Sequence, residues 1–309
     1  MLGNIIDLNA PKIIETISFY NTPELCKNAY KKLSCLKKIL SCIQSYGTLF
    51  LYALNRIYVK ISTNKNWADP YSIKNLTFQK NKLVVCLHGL NNSPIQFKKI
   101  INELEQVKDK DIEICAPEIL QNGNAKLDDM VKPIFKMIKS WAATPGEKEL
   151  ILVGISNGAR IERGVEAKIR NSKNENLNQI NRIRFISIVG ANQGSSLAKW
   201  ADDHYLGWVM SKNIRNEMPE GSDRNIDLND KMSLGYGGDY RPNTKYFFIA
   251  SPHDWQVPNT SSTLMDGFPE TIDTNYAIVQ GHGHNSIVNA VSNTVVSIIT
   301  EKYLQNNEQ

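Results

Sequence analysis

The sequence lacks most of what builds a metal-bound or disulfide-stapled module. Its 309 residues hold only 5 cysteines, an odd number, with no CxxC pair and no Cys/His cluster. That excludes a disulfide framework and argues against a structural zinc site. No internal repeat is visible, and no uncharged apolar run reaches the ~20 residues that a spanning helix needs. The start, Met1-Leu2-Gly3-Asn4-Ile5-Ile6-Asp7, lacks the basic n-region of a cleavable signal peptide, and Gly3 is misplaced for myristoylation. What is present is ordinary for a chain with a real core: 41% hydrophobic and 22% charged residues. Intrinsic disorder, collagen-like repeats and a multi-span transporter are therefore excluded.

The net charge of +5 is unevenly spread. Residues 1–80 hold 11 Lys/Arg against 4 Asp/Glu, a net of +7, whereas the remaining 229 hold 25 against 27, a net of −2. The larger part is slightly acidic, so no nucleic-acid partner is expected. From Pro23 to about Ser62 the text reads as helical, with Asn21/Thr22 as the cap and Pro23 at the first helical position. Lys27, Lys31, Lys32, Lys37 and Lys38 precede a 16-residue uncharged run from Ile39 to Leu54, shorter and more polar than a spanning helix wants. A membrane span is the weakest of three readings for residues 23–62, and two others compete. One is a helical layer whose Leu/Ile/Tyr face is buried on the body of the protein. The other is a peripheral contact with anionic lipid. Cys35 and Cys42, seven apart, read as small buried residues rather than acylation sites.

From about residue 75 short apolar runs alternate with helix-period stretches. Residues 82–87, 111–116, 149–153, 184–189, 245–250 and 276–279 read as strands, and 95–108, 126–143, 157–171 and 285–304 as helices. Unbroken apolar strands suit a sheet covered on both faces. The alternation predicts the α/β class, a mainly parallel sheet with helices on both sides. The expected division is a basic helical segment over 1–74 and a larger domain over 75–309.

The chemistry-bearing residues fall after these strands. Gly154-Ile155-Ser156-Asn157-Gly158 follows the third strand and opens a helix. A sharp strand-to-helix turn needs glycines on either side of its serine and presents the Ser156 hydroxyl beside the helix N-terminus. A serine hydroxyl needs a base and an orienting acid to become a nucleophile. Gly281-His282-Gly283-His284-Asn285 follows the last strand, with His284 the preferred base and His282 the second choice. The two histidines have no nearby carboxylate ligands, which argues against a metal, and serine chemistry of this kind requires no organic cofactor. Asp254 is the only carboxylate in Ser251–Pro258, directly after the fifth strand, and is the candidate acid. Asp227 and Asp239 are weaker alternatives because neither follows a strand.

The order Ser156, Asp254, His284 resembles that of the α/β-hydrolase superfamily, over about residues 75–305. Leu87-His88-Gly89-Leu90-Asn91-Asn92 is similar to the HGL oxyanion loop of bacterial lipases. The resemblance implies that the backbone amides of Leu90 and Asn157 receive an oxyanion, with His88 as loop scaffold. Gly190-Ala191-Asn192-Gln193-Gly194-Ser195 resembles the GTPHxGS turn of lipases and GPI-inositol deacylases, with Asn192 and Gln193 in place of Pro and His. Residues 194–243 form an insertion with Trp200, Tyr205, Leu206, Trp208, Val209 and Met210, expected as a lid or a static cap.

The implied activity is cleavage of a small-molecule or lipid ester. Thioester or amide cleavage with the same residues, and a non-turnover interaction protein on this fold, are the alternatives. Reduced-looking cysteines favour a cytoplasmic protein, with membrane attachment or signal-independent secretion as the other locations.

Overall fold

The computed structural model describes residues 17–47, 69–107, 109, 111–196, 198–199, 212–232, 243–258, 260–265, 267–268 and 271–301. Six strands form one sheet: β1 (Lys82–Leu87), β2 (Ile112–Cys115), β3 (Lys148–Ile155), β4 (Ile180–Ile188), β5 (Thr244–Ala250) and β6 (Asp273–Ile278). Their order is β2-β1-β3-β4-β5-β6, and every neighbouring pair is parallel. Side chains on a strand alternate between faces, and the core divides accordingly. Leu83, Val85 and Leu87 of β1 join one apolar cluster, and Val84 and Cys86 join the other. The first cluster is closed by α4 (Leu127–Ala142) and α5 (Asn157–Arg170). The second is closed by α3 (Lys98–Val107) and two short C-terminal helices. This is the expected α/β architecture, with the connectivity of an α/β-hydrolase fold. Chain direction across the sheet reverses between β1 and β3, so their carboxyl ends open the crevice in which such sheets hold ligands.

Several boundaries differ from the sequence reading. Strand β4 begins at Ile180 rather than Arg184. Its basic residues are accommodated because the nearly buried Arg184 pairs with Glu149 and Glu301, which offsets the cost of burying its charge. Strand β6 begins at Asp273, which pairs with Lys245 at 2.7 Å on the neighbouring strand.

The N-terminal helix is also divided. Helix α1 (Pro23–Lys31) is capped by the Thr22 hydroxyl, which accepts from Leu25 N–H at 3.2 Å. Residues 35–47 form a second helix, α2, started by Ser34, whose hydroxyl accepts from Lys37 N–H at 3.3 Å. The local serine bond starts the second helix, as serine caps do. Residues 48–62 of the expected helix lie outside the described residues.

Residues 17–47 share the core of the rest. Tyr20 forms an antiparallel bridge with Tyr276, which covers part of the β6 edge, and Cys26 is fully buried. The expected orientation of α2 is reversed. Ser41 and Ser45 face inward, whereas Leu36, Ile39, Leu40, Ile43 and Tyr46 are exposed. The surface beneath α2 presents a backbone N–H and an imidazole, and the Ser41 hydroxyl bonds both, which a leucine could not. Cys35 is exposed and Cys42 half-buried, so neither is the small core residue expected. Among the described residues no helix is long and apolar enough to cross a membrane.

Candidate active site

Strand β3 ends at Ile155, and α5 begins at Asn157; Ser156 alone makes the turn, at φ 56° and ψ −120°. A non-glycine residue at this φ is strained by about 1–3 kcal/mol. The surroundings fix it. Ser156 N–H donates to Ile188 O, and the Ser156 carbonyl accepts from Ala159 and Ala191 N–H, all at 3.1 Å. The flanking glycines are sterically required. A Cβ at Gly158 would lie 1.8 Å from the Leu87 carbonyl oxygen, and one at Gly154 would lie 2.6 Å from Ala159 Cα. The Ser156 hydroxyl makes no capping bond to α5.

The loop after β1 runs directly over this serine. A Cβ at Gly89 would stand 3.1 Å from Ser156 Cβ and 3.6 Å from its Oγ. Among the described residues, the amides of Leu90 and Asn157 donate no hydrogen bond to the chain. His88 is wholly buried beneath the loop. Its Nε2 accepts from Ile119 N–H at 3.1 Å, so the proton sits on Nδ1, which donates to Gly89 O at 2.9 Å. Burial pushes its pKa down to about 4, which keeps the ring in this neutral form. His88 thus clamps the loop and has no free nitrogen for proton transfer.

A second loop, invisible as a site element in the sequence, supports the first. Gln121, Asn122 and Gly123 are three successive residues with positive φ, and a Cβ at Gly123 would lie 3.2 Å from Gly89 O. Asn91 N–H donates to Asn122 O at 2.8 Å, and the Asn157 side chain donates to Gly123 O at 2.9 Å. The run Gln121-Asn122-Gly123-Asn124 was a legible turn signal, though nothing in it named its target.

The candidate acid and base are brought into contact. Asp254 follows β5 and His284 follows β6, and both side chains are almost fully buried. His284 Nδ1 lies 2.7 Å from Asp254 Oδ2, while Asp254 Oδ1 accepts from Gln256 N–H at 2.8 Å and Val257 N–H at 2.9 Å. His284 stands in the turn before α8 (Ile287–Ala290) rather than opening one long helix; α9 (Ser292–Ile299) follows after a break at Val291. His282 has no such partner: its Nδ1 is buried without a hydrogen bond among the described residues, and burial lowers its pKa to about 4. It contributes its carbonyl, which accepts from the Ser251 hydroxyl. Among the described residues no group of three His, Cys, Asp or Glu side chains is arranged to hold a metal.

The described part of the insertion is tied to the body. Its helices are α6 (Lys212–Glu217) and α7 (Asp223–Met232). Arg160 of α5, fully buried, donates from Nη1 to Asn157 Oδ1 at 3.2 Å, from Nε to Asn225 Oδ1 at 3.0 Å and from Nη2 to Glu217 O at 2.9 Å. Glu217 Oε2 in turn accepts from Leu127 N–H at 2.9 Å. Asp227, a weaker candidate acid, is paired with Arg224. Trp200, residues 205–210 and Asp239 lie outside the described residues.

No protein-family model matches the sequence, and no curated protein does either. Solved structures with a similar backbone include phospholipase PlaB from Legionella pneumophila, at 15% identity over 54% of this chain and a TM-score of 0.39. The match spans 39% of that protein's length. Lipase B of Aspergillus fumigatus matches 75% of this chain and 56% of its own at 12% identity, with a TM-score of 0.49. Est1E from Butyrivibrio proteoclasticus, solved with ferulic acid bound, matches 77% of this chain and 94% of its own at 13% identity, with a TM-score of 0.48. At such identities the likeness concerns the fold, and the candidate site rests on its own geometry: an elbow serine, two free amides and a buried Asp–His pair at one end of a parallel sheet.

Proposed function

We infer that the protein is a serine hydrolase of carboxylic esters, with substrates of lipidic character. The observation that carries this reading is the buried Asp254–His284 contact of 2.7 Å on the loops after β5 and β6, at the sheet end where Ser156 makes its strained turn. Asp254 accepts the Nδ1 proton, which leaves His284 Nε2 as the base. In the proposed sequence His284 takes the Ser156 proton as Oγ attacks the ester carbonyl, and the amides of Leu90 and Asn157 receive the oxyanion. His284 then protonates the departing alcohol. Water repeats the steps on the acyl-enzyme and regenerates Ser156. The roles need no metal or organic cofactor.

The test is labelling with a fluorophosphonate probe beside turnover of a p-nitrophenyl ester series. Wild type is expected to label, and Ser156→Ala to lose both labelling and turnover by at least about 10³-fold. Asp254→Asn, which reverses the imidazole tautomer, is expected to cost about 10⁴-fold in kcat. Turnover by the Ser156→Ala protein would reject the assignment. An optimum at short acyl chains would reject the lipidic part alone.

A further inference from the structure

Helix α2 wears its apolar side outward. Leu36, Ile39, Leu40, Ile43 and Tyr46 follow the i, i+3, i+4, i+7, i+10 spacing of one helical stripe, and all are exposed, Leu36 at 66% and Tyr46 at 70%. The opposite side carries Ser41 at 0% and Ser45 at 8%. A soluble helix normally shows the reverse arrangement, and contiguous exposed apolar patches mark interaction surfaces. The charge of this segment is almost all of one sign. Residues 23–47 contain Lys27, Lys31, Lys32, Lys37 and Lys38 against Glu24 alone, on a protein whose larger part is slightly acidic. Lys38 bridges the two helices, its Nζ 2.9 Å from Lys31 O and 5.4 Å from the Tyr30 ring centroid.

The inward side of α2 rests on the loops that carry the acid and base. Ser41 Oγ accepts from Gly281 N–H at 2.8 Å and lies 2.6 Å from Nε2 of His253, the neighbour of Asp254. Gln44 packs on Gly281, and Ser45 Oγ lies 3.6 Å from where a Cβ on Gly283 would be. Trp255, in the same loop as His253, is exposed.

We propose that the outward face of α2, together with the exposed lysines of α1 and α2, docks the protein on an anionic lipid bilayer. Leu36, Ile39, Leu40, Ile43 and Tyr46 enter the boundary between headgroups and acyl chains, and the lysines pair with the anionic headgroups. The consequence for catalysis, that the Asp254 and His284 loops sit beside the lipid surface, rests on the ester-hydrolase reading; the docking itself does not.

The experiment is co-sedimentation of the full chain with vesicles of phosphatidylcholine alone or mixed with phosphatidylglycerol. Wild type is expected to bind the mixed vesicles at least about tenfold more tightly, with binding weakened as salt screens the lysines. Leu36→Glu/Ile43→Glu is expected to lower that binding at least about tenfold, with the far-UV circular dichroism unchanged. Should that variant fail to fold, Lys32→Glu/Lys37→Glu alters only exposed side chains and is expected to lose the preference for phosphatidylglycerol. Ser156→Ala protein is expected to sediment like wild type, so failure of the hydrolase reading leaves the docking result intact. Equal binding to both vesicle types, or undiminished binding by the variants, would overturn the proposal. So would a wild-type dimer that the Glu variants convert to monomer, because a second copy would then cover the face.

Discussion

A single side chain is tolerated or refused at the site according to what its first carbon meets. Gly158 faces the carbonyl oxygen at the end of β1, where an added Cβ would stand 1.8 Å away, and a backbone oxygen within a sheet has nowhere to go. Gly158→Ala is therefore expected to cost more than about 4 kcal/mol and to yield little folded protein. Gly221 has φ +76° yet nothing within 4 Å of its added Cβ, so Gly221→Ala is expected to cost only about 1 kcal/mol. Urea unfolding of both variants checks the contrast, and similar losses would refute it. The elbow serine and the contact between the candidate acid and base were legible as candidates in the sequence, because each of these residue types stands directly after an apolar strand. Their supports were not. Arg160, Glu162, Arg163 and Glu166 are ionisable residue types yet buried on α5, so hydropathy periodicity assigns them to solvent. Only the fold shows what lies against them.

At the scale of elements, strands were easier to read than helices. Sheet strands buried on both faces announce themselves as apolar runs, while the side a helix buries depends on its neighbour's chemistry. Helix α2 illustrates this, since its contact surface offers Gly281 N–H and His253 Nε2 and is met by Ser41. Ser41→Ala would remove the hydrogen bonds to the buried Gly281 N–H and the half-buried His253 ring. The expected loss of stability is about 1–3 kcal/mol, read from urea unfolding. A loss under about 0.5 kcal/mol would mean that α2 is not held by this contact. The insertion shows the same dependence: α6 and α7 are anchored by Arg160, which also holds the Asn157 side chain beside the candidate oxyanion amide. No periodicity in residues 194–243 could have indicated that link.

The whole molecule carries an unusual charge arrangement beneath its sheet. Glu166 is fully enclosed, accepts from the Tyr246 hydroxyl, and burial pushes its carboxyl pKa up to about 7. The folded protein therefore binds a proton that the unfolded chain has released above about pH 4.5. Its contribution to stability is complete below that pH and is lost as pH rises through about 7. Glu166→Gln keeps an acceptor for Tyr246 without the titration. Between pH 4.5 and 7 the variant is expected to gain on wild type by about 3 kcal/mol, measured as paired urea midpoints. A difference independent of pH would show that Glu166 is ionised throughout. The fold also joins distant parts of the chain: Ser41 and Gly281 are 240 positions apart. At synthesis rates of roughly 5–20 residues per second, the serine leaves the ribosome on the order of 10–50 s before its partner exists. The elbow around Ser156 is complete in sequence long before the loop that carries His284 can be clamped. A chain still being translated thus holds the candidate nucleophile without its candidate base. The proposed ester cleavage then begins only once the last strand is free to close against the first helices.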